Sequence, residues 1–136
     1  MNVEKARTFV AGNHRAVLYT RRLSGTPQLS PVLVVVDGDG RVIISTRETA
    51  MKVRNVRRDP AVSLCVMNEN FFGEWVQIDG VAEVVPLPKA MEGLIDYYRR
   101  AAGEHDNWDE YRAAMEREGR VLFRIDITRA GPDRRG

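Results

Sequence analysis

The chain has 136 residues, 43% hydrophobic and 29% charged, with a formal net charge of +2. That length suffices for one domain with a continuous core and no disulfide staples, and the single cysteine, Cys65, has no internal partner. The mild charge argues against a protein built to coat nucleic acid, and early charges in MNVEKARTFVAGNHR leave no long apolar run there. The expectation is therefore a cytoplasmic protein without a secretory signal or membrane anchor.

In chain order, an amphipathic helix is predicted near residues 3–11, ending at Gly12-Asn13. RAVLYTRR, the turn signal Ser24-Gly25-Thr26-Pro27 and QLSPVLVVV read as a hairpin. Asp37-Gly38-Asp39-Gly40 is a second turn, leading into RVIIST. Over 48–58 the residues Thr49, Lys52, Val53 and Val56 recur with helical spacing, and Asp59-Pro60 stops the pattern. AVSLCVM and GEWVQIDGVAEVV follow as strands. In the latter, Val76, Ile78, Ala82 and Val84 mark an inward face, while Trp75, Gln77 and Asp79 point outward.

Pro86 and Pro88 end this β-rich half, and 88–103 and 107–118 read as two helices separated by Gly103. RVLFRIDIT alternates Val121, Phe123, Ile125 and Ile127 against polar residues, as a closing strand does. Six strands, tight turns and no βαβ rhythm predict a mainly β (α+β) fold: an antiparallel barrel with attached helices. It is read as one domain over 1–130, with a frayed tail at 131–136.

Candidate chemistry is sparse. His14 and His105 lie far apart in the chain and share no metal-ligand spacing with Cys65, so no metal site is expected. His14 reads as a cap at the entry to the first strand, His105 as a surface contact, and Cys65 as a buried, inert thiol in an apolar strand. No nucleophile elbow, dinucleotide fingerprint or P-loop occurs.

The informative stretch is 46–60, with five Lys or Arg against two acids. Ser45 and Thr46 fall where a strand gives way to a helix, and Ser45-x-x-Glu48 matches a capping box. A helix start is one reading. The other is an anion seat, since hydroxyls, free N–H groups and the helix dipole all favour negative charge there. Lys52 is a point charge suited to phosphate, and Asn55 can hydrogen-bond a sugar, a phosphate or the neighbouring backbone. Arg54, Arg57 and Arg58 read as a solvated face. Outward Trp75 calls for a cover: a dimer partner, a helix or a planar ligand.

Taken together, AVLYTRRLSGTPQLSPVLVVVDGDGRVIIST, KVRNVRRDPAVSLCV, EWVQIDGVAEVV and GLIDYYRRAAGEHDNWDEYRAAM have an order and spacing that resemble a family. It is the pyridoxamine-phosphate-oxidase-like flavin/deazaflavin oxidoreductases, and within it the short actinobacterial branch that uses coenzyme F420 in place of FMN. The resemblance implies a six-stranded split β-barrel (the FMN-binding split barrel) forming a homodimer, with two cofactor sites at the subunit interface. It implies that Ser45, Thr46, Lys52 and Asn55 hold the cofactor's phosphate and ribityl end. Gln28, Ser30, Pro31 and Val32 would run along its ring system, and Trp75 and Gln77 would face it from another strand, of the same subunit or of its partner.

It also implies hydride transfer from reduced deazaflavin to a conjugated small-molecule acceptor, without nucleic-acid or membrane partners. An FMN-dependent oxidase or reductase and a non-catalytic F420 carrier are the alternatives. The chain departs from the family in two places. Ala50 and Met51 stand where some relatives carry an extra basic residue before the lysine, with Arg47 or Arg54 as possible substitutes. No Arg-x-His clamp follows His105, which argues against pyridoxamine phosphate itself as substrate. No residue stands out as a proton donor.

Overall fold

The computed structural model describes residues 1–132. Its elements are α1 (Val3–Gly12), β1 (Arg15–Arg21), β2 (Pro27–Leu33), β3 (Val35–Val36), β4 (Val42–Arg47), α2 (Met51–Arg58), β5 (Ala61–Met67), β6 (Trp75–Val85), α3 (Met91–Ala102), α4 (Trp108–Glu118) and β7 (Arg120–Gly131). All strand pairs are antiparallel. The sheet order is β2-β1-β5-β6-β7-β4-β3. The sheet curls until its edge strand β2 touches β4, which makes a barrel split along that seam.

Among the described residues the strand count is seven, where six were expected. QLSPVLVVV breaks at Val34, whose side chain is fully buried and whose N–H donates to the His14 carbonyl oxygen at 2.8 Å. Up to Leu33 the run pairs with β1; from Val35 it pairs with β4. One apolar run thus serves two neighbours. Of the expected tail at 131–136, Gly131 is the last residue of β7 and residues 133–136 lie outside the described residues.

Alternation sorts the side chains into two cores. Leu18, Val42, Ile44, Leu64, Ile78, Phe123 and Ile125 fill the barrel interior, joined by Ala6 and Val10 of α1 and Val53 and Val56 of α2. Burying each large side chain contributes about 1.5–3 kcal/mol relative to exposure. Ile43 and Leu122 point the other way, into a second core under α3 and α4 with Leu94, Ile95 and Tyr111. The helices therefore cover the outside of β4 and β7.

Gly80 occupies the irregularity where β6 slips against β7. A β-carbon there would meet the Asp126 carbonyl oxygen at 2.5 Å and Ile125 Cγ2 at 2.6 Å. Gly80→Ala is expected to cost roughly 1–3 kcal/mol, the usual penalty of overpacking. Urea denaturation would measure it, and an unchanged midpoint would show that the strand pair shifts freely.

The capping box does not form. Ser45 and Thr46 remain inside β4, residues 48–50 make a turn, and α2 begins at Met51 with Ala50 as an N-cap that offers no side-chain bond. The physical reason lies in competing partners. The Glu48 N–H donates to the Gly119 carbonyl oxygen, and its carboxylate pairs with Arg57.

Candidate functional site

A cleft of about 540 Å³ opens at the barrel's split. Pro31, Val32 and Leu33 of β2 form one wall, and Tyr97, Tyr98, Tyr111 and Met115 of the two long helices form another. Its polar end carries Ser45, Thr46, Lys52 and Arg120. β4 and β7 pair with Ser45 opposite Leu122 and Arg47 opposite Arg120. Directly opposed residues share a face, so Ser45, Arg47 and Arg120 all lie on the helix-covered side of the sheet.

Lys52 is the most exposed to consequence. Its Nζ donates to Ser30 Oγ at 3.3 Å, and among the described residues no carboxylate pairs with it. Burial pushes the Lys52 ammonium below its usual range, and the Arg120 charge adds to the shift. A half-desolvated cation held near a second cation is a site that gains when an anion arrives. The cleft lining itself contains no acid among the described residues.

Asn55 is placed differently from a ligand contact. It is 1% exposed. Its Nδ2 donates to Thr20 Oγ1 at 3.1 Å and to Gln28 Oε1 at 2.7 Å, while its Oδ1 accepts from Arg58 at 3.0 Å. Buried Asn55 and half-buried Gln28 thus form a strut that fixes α2, and with it Lys52, against the first hairpin. Arg58 also donates to the Arg21 carbonyl oxygen at 2.6 Å, so two of the three arginines read as a solvated face hold neighbours in place: Arg57 grips Glu48 and Arg58 grips the hairpin.

The helix wall is preorganised. The Tyr97 hydroxyl donates to the Leu33 carbonyl oxygen at 3.0 Å and that of Tyr111 to the Leu94 carbonyl oxygen at 2.8 Å. Burial pushes the Tyr97 phenol up and that of Tyr111 up to about 12. Both therefore stay protonated at neutral pH and act as fixed donors. Behind them Tyr98, His105, Trp108 and Tyr111 pack ring against ring, with centroids 5.0–5.8 Å apart. His105 belongs to this cluster. His14 donates from Nδ1 to the Val34 carbonyl oxygen at 2.8 Å, beside the start of β1.

Trp75 and Gln77 lie elsewhere, on the outward row of β6. Gln77 lines a second concavity of about 450 Å³ with Val17, Tyr19, Leu29 and Cys65. Its Nε2 donates to Asp79 Oδ1 at 3.0 Å. The Trp75 indole Nε1 is buried and has no hydrogen-bond partner among the described residues. Cys65 lines this concavity and is half-buried, not part of the core as expected. In AVSLCVM, Val62, Leu64 and Val66 take the inside, which leaves Cys65 on the outer row with Ala61, Ser63 and Met67. Burial pushes the Cys65 thiol up, so it stays protonated and inert.

Of the ten candidate residues, Pro31, Val32, Ser45, Thr46 and Lys52 meet in the cleft and Ser30 joins them through Lys52. Gln28 and Asn55 brace from behind, and Trp75 and Gln77 sit on the outer face. Sequence reasoning missed Arg120 and the tyrosine wall. The aromatic spacing of Tyr97, Tyr98, Trp108 and Tyr111 was a usable signal for the wall; nothing local marked Arg120. Among the described residues no three His, Cys, Asp or Glu side chains gather as a metal site, and no helix is long and apolar enough to cross a membrane.

The fold is a split antiparallel barrel with a cationic, aromatic-walled cleft at its seam. The chain belongs to the pyridoxamine 5'-phosphate oxidase family, whose profile matches residues 3–131. Among solved structures it is similar to a conserved hypothetical protein from Mycobacterium tuberculosis, with 26% identity, a TM-score of 0.77 and coverage of 96% of this chain and 82% of that one. An F420 reductase superposes at a TM-score of 0.71 with 22% identity, covering 92% of this chain and 94% of its own. HutZ, a heme storage protein from Vibrio cholerae, does so at 0.68 with 18% identity, covering 100% and 98%. At these identities the latter two show a shared fold.

Proposed function

We propose that the chain binds coenzyme F420 at the split and serves as an F420-dependent reductase in the cytoplasm. The observation that carries this reading is Lys52: a half-desolvated ammonium, without a paired carboxylate among the described residues, at the polar end of a cleft of about 540 Å³. Such a cation suits a phosphate. The structural likeness to an F420 reductase supports the choice of cofactor.

The residues present fit that group. Lys52, Ser45 and Thr46 would hold the phosphate end, and the β2 wall at Pro31 and Val32 would lie along the rings, with Ser30 keeping Lys52 aimed. Bound reduced F420 supplies a hydride for an activated double bond of a conjugated acceptor. The chain orients the partners and excludes water, chiefly through the tyrosine wall. The same phosphate seat would serve FMN, so an FMN-dependent enzyme is the second reading, favoured by membership in an oxidase family.

The dimer belongs to the proposal. Leu29 and Leu33 on β2 are 65% and 51% exposed. Leu29 with Val17, Tyr19 and Cys65 forms an apolar outer face that a second copy would cover, and Leu33 extends the same row of β2. The orphaned Trp75 indole beside it would find its acceptor on the partner or on the cofactor. Leu29→Glu is expected to convert a dimer into monomers, read by light scattering at micromolar protein. A wild-type monomer, or a dimer unaffected by the substitution, would remove this face from the interface.

The deciding experiment titrates the protein with F420 and with FMN, following fluorescence. Tighter F420 binding supports the reading, whereas saturation by FMN alone overturns it. Turnover separates enzyme from carrier: oxidation of reduced F420 with at least one enone, quinone or nitroaromatic is expected, and tight binding without turnover on a broad panel leaves the carrier.

A further inference from the structure

The corner between α4 and β7 places one carboxylate among crowded cations. Gly119 ends α4 in the left-handed conformation, with φ 61° and ψ 47°. That bend sets Arg120, the first residue of β7, back beside Glu118, the last of α4. Arg120 then faces Arg47 directly across the β4–β7 ladder, a like-charge pairing that is unfavourable by itself. Glu118 bridges the two. Its Oε1 accepts from Arg120 Nε at 3.2 Å, from Arg120 Nη2 at 2.8 Å and from Arg47 at 3.4 Å.

This pairing is incomplete in a telling way. A guanidinium fork is best matched by two oxygens, one for each N–H. Here both Arg120 bonds end on a single carboxylate oxygen. The Arg120 and Glu118 side chains are 26% and 27% exposed. Arg120 also lines the cleft with Lys52, Ser45 and Thr46. Arg47 and Arg120 thus share one bridging acid, and Lys52, which lines the same cleft as Arg120, has no acidic partner among the described residues.

We infer that Arg120 is a second anion-binding residue of the cleft, opposed to Lys52, and that Glu118 occupies its guanidinium until a phosphate replaces it. The inference rests on the proposal that a phosphorylated cofactor fills the cleft, and it adds who clamps the phosphate and what the phosphate displaces. It also accounts for Ala50 and Met51: the second basic group arrives from the far end of the chain, through the strand pairing, instead of from the residues before Lys52. Glu118 acts as an internal competitor, which lowers affinity and keeps the cationic corner neutralised when no ligand is bound.

Fluorescence titration of the wild type and four variants with F420 and with the same deazaflavin lacking its phosphate tests this. Arg120→Gln is expected to raise the dissociation constant for F420 about tenfold, in the range of one charged hydrogen bond, and to leave the phosphate-free compound within about twofold. Arg120→Lys, which keeps the charge and loses the fork, is expected in between. Glu118→Gln is expected to bind F420 roughly threefold more tightly, because the competing charge is gone. If Arg120→Gln and Arg120→Lys leave F420 binding unchanged while Lys52→Ala weakens it, this inference fails and the cleft reading stands. If Arg120→Gln weakens both compounds equally, Arg120 is structural and the inference also fails. If neither Lys52 nor Arg120 matters, the cleft reading falls and takes this one with it.

Discussion

Lys52→Ala is expected to raise the dissociation constant for F420 about 5- to 150-fold, corresponding to the roughly 1–3 kcal/mol of a charged hydrogen bond. Its effect on folding should have the opposite sign or none. In the free protein Lys52 gains only one long hydrogen bond, to Ser30 at 3.3 Å, against burial and the nearby Arg120 charge. Removing it relieves that repulsion, so the melting temperature should hold or rise slightly. A site that destabilises the empty protein and tightens on its ligand is the usual trade between function and stability. A melting temperature that falls with no change in affinity would make Lys52 a structural residue.

The same lysine sets a pH dependence. Its folded-state pKa is lowered, so its protonation favours the unfolded chain. The destabilisation is fully present below the folded pKa and disappears as pH rises toward the unfolded value of 10.5. Anion binding runs the other way, since only the protonated amine attracts phosphate. F420 affinity is therefore expected to fall on the alkaline side, beginning below 10.5, and Lys52→Ala should flatten that limb of the profile. An equally steep alkaline limb in the variant would assign it to another group.

Asn55→Leu is expected to carry the larger cost to the fold. It removes donors from Thr20, which is 1% exposed, and from Gln28, and an acceptor from Arg58. Leaving a buried hydroxyl short of a partner costs about 1–3 kcal/mol, and losing the bond to Gln28 about 1 more. The sum, roughly 2–4 kcal/mol, corresponds to a fall in melting temperature on the order of 6–15 °C for a chain of this size. Affinity for F420 should fall as well, because α2 loses its strut and Lys52 its position. A variant that melts normally but binds poorly would restore Asn55 to the list of direct ligand contacts.

The site was half legible before the fold was known. The cleft residues Pro31, Val32, Ser45, Thr46 and Lys52 were named from the sequence, and they do meet. They were reached through a motif order that resembles the family, together with the chemistry of Ser, Thr and Lys near a strand end. Asn55 was named for its hydrogen-bonding capacity, but its spacing from Lys52 could not show that α2 turns it into the barrel wall. Ser45-x-x-Glu48 looked like a capping box because the pattern is local. The partners that defeated it, Arg57 and the Gly119 carbonyl, lie 9 and 71 residues away from Glu48 in the sequence.

What the sequence alone determined is what depends on neighbours in the chain. Alternation along Trp75–Val85 and Arg120–Gly131 specified strands and their inner faces, Asp37–Gly40 specified a turn, and Pro86, Pro88 and Gly103 bounded the two helical stretches that became α3 and α4. The tertiary structure decided what depends on strand order and register. It split QLSPVLVVV between two partners, closed β2 against β4 to open the cleft, and set Arg120 opposite Arg47 in the cleft that Lys52 also lines. Side-chain alternation repeats every two residues and can be read locally. Register is chosen by burial summed over a whole sheet, and that sum placed the second cation of the cleft.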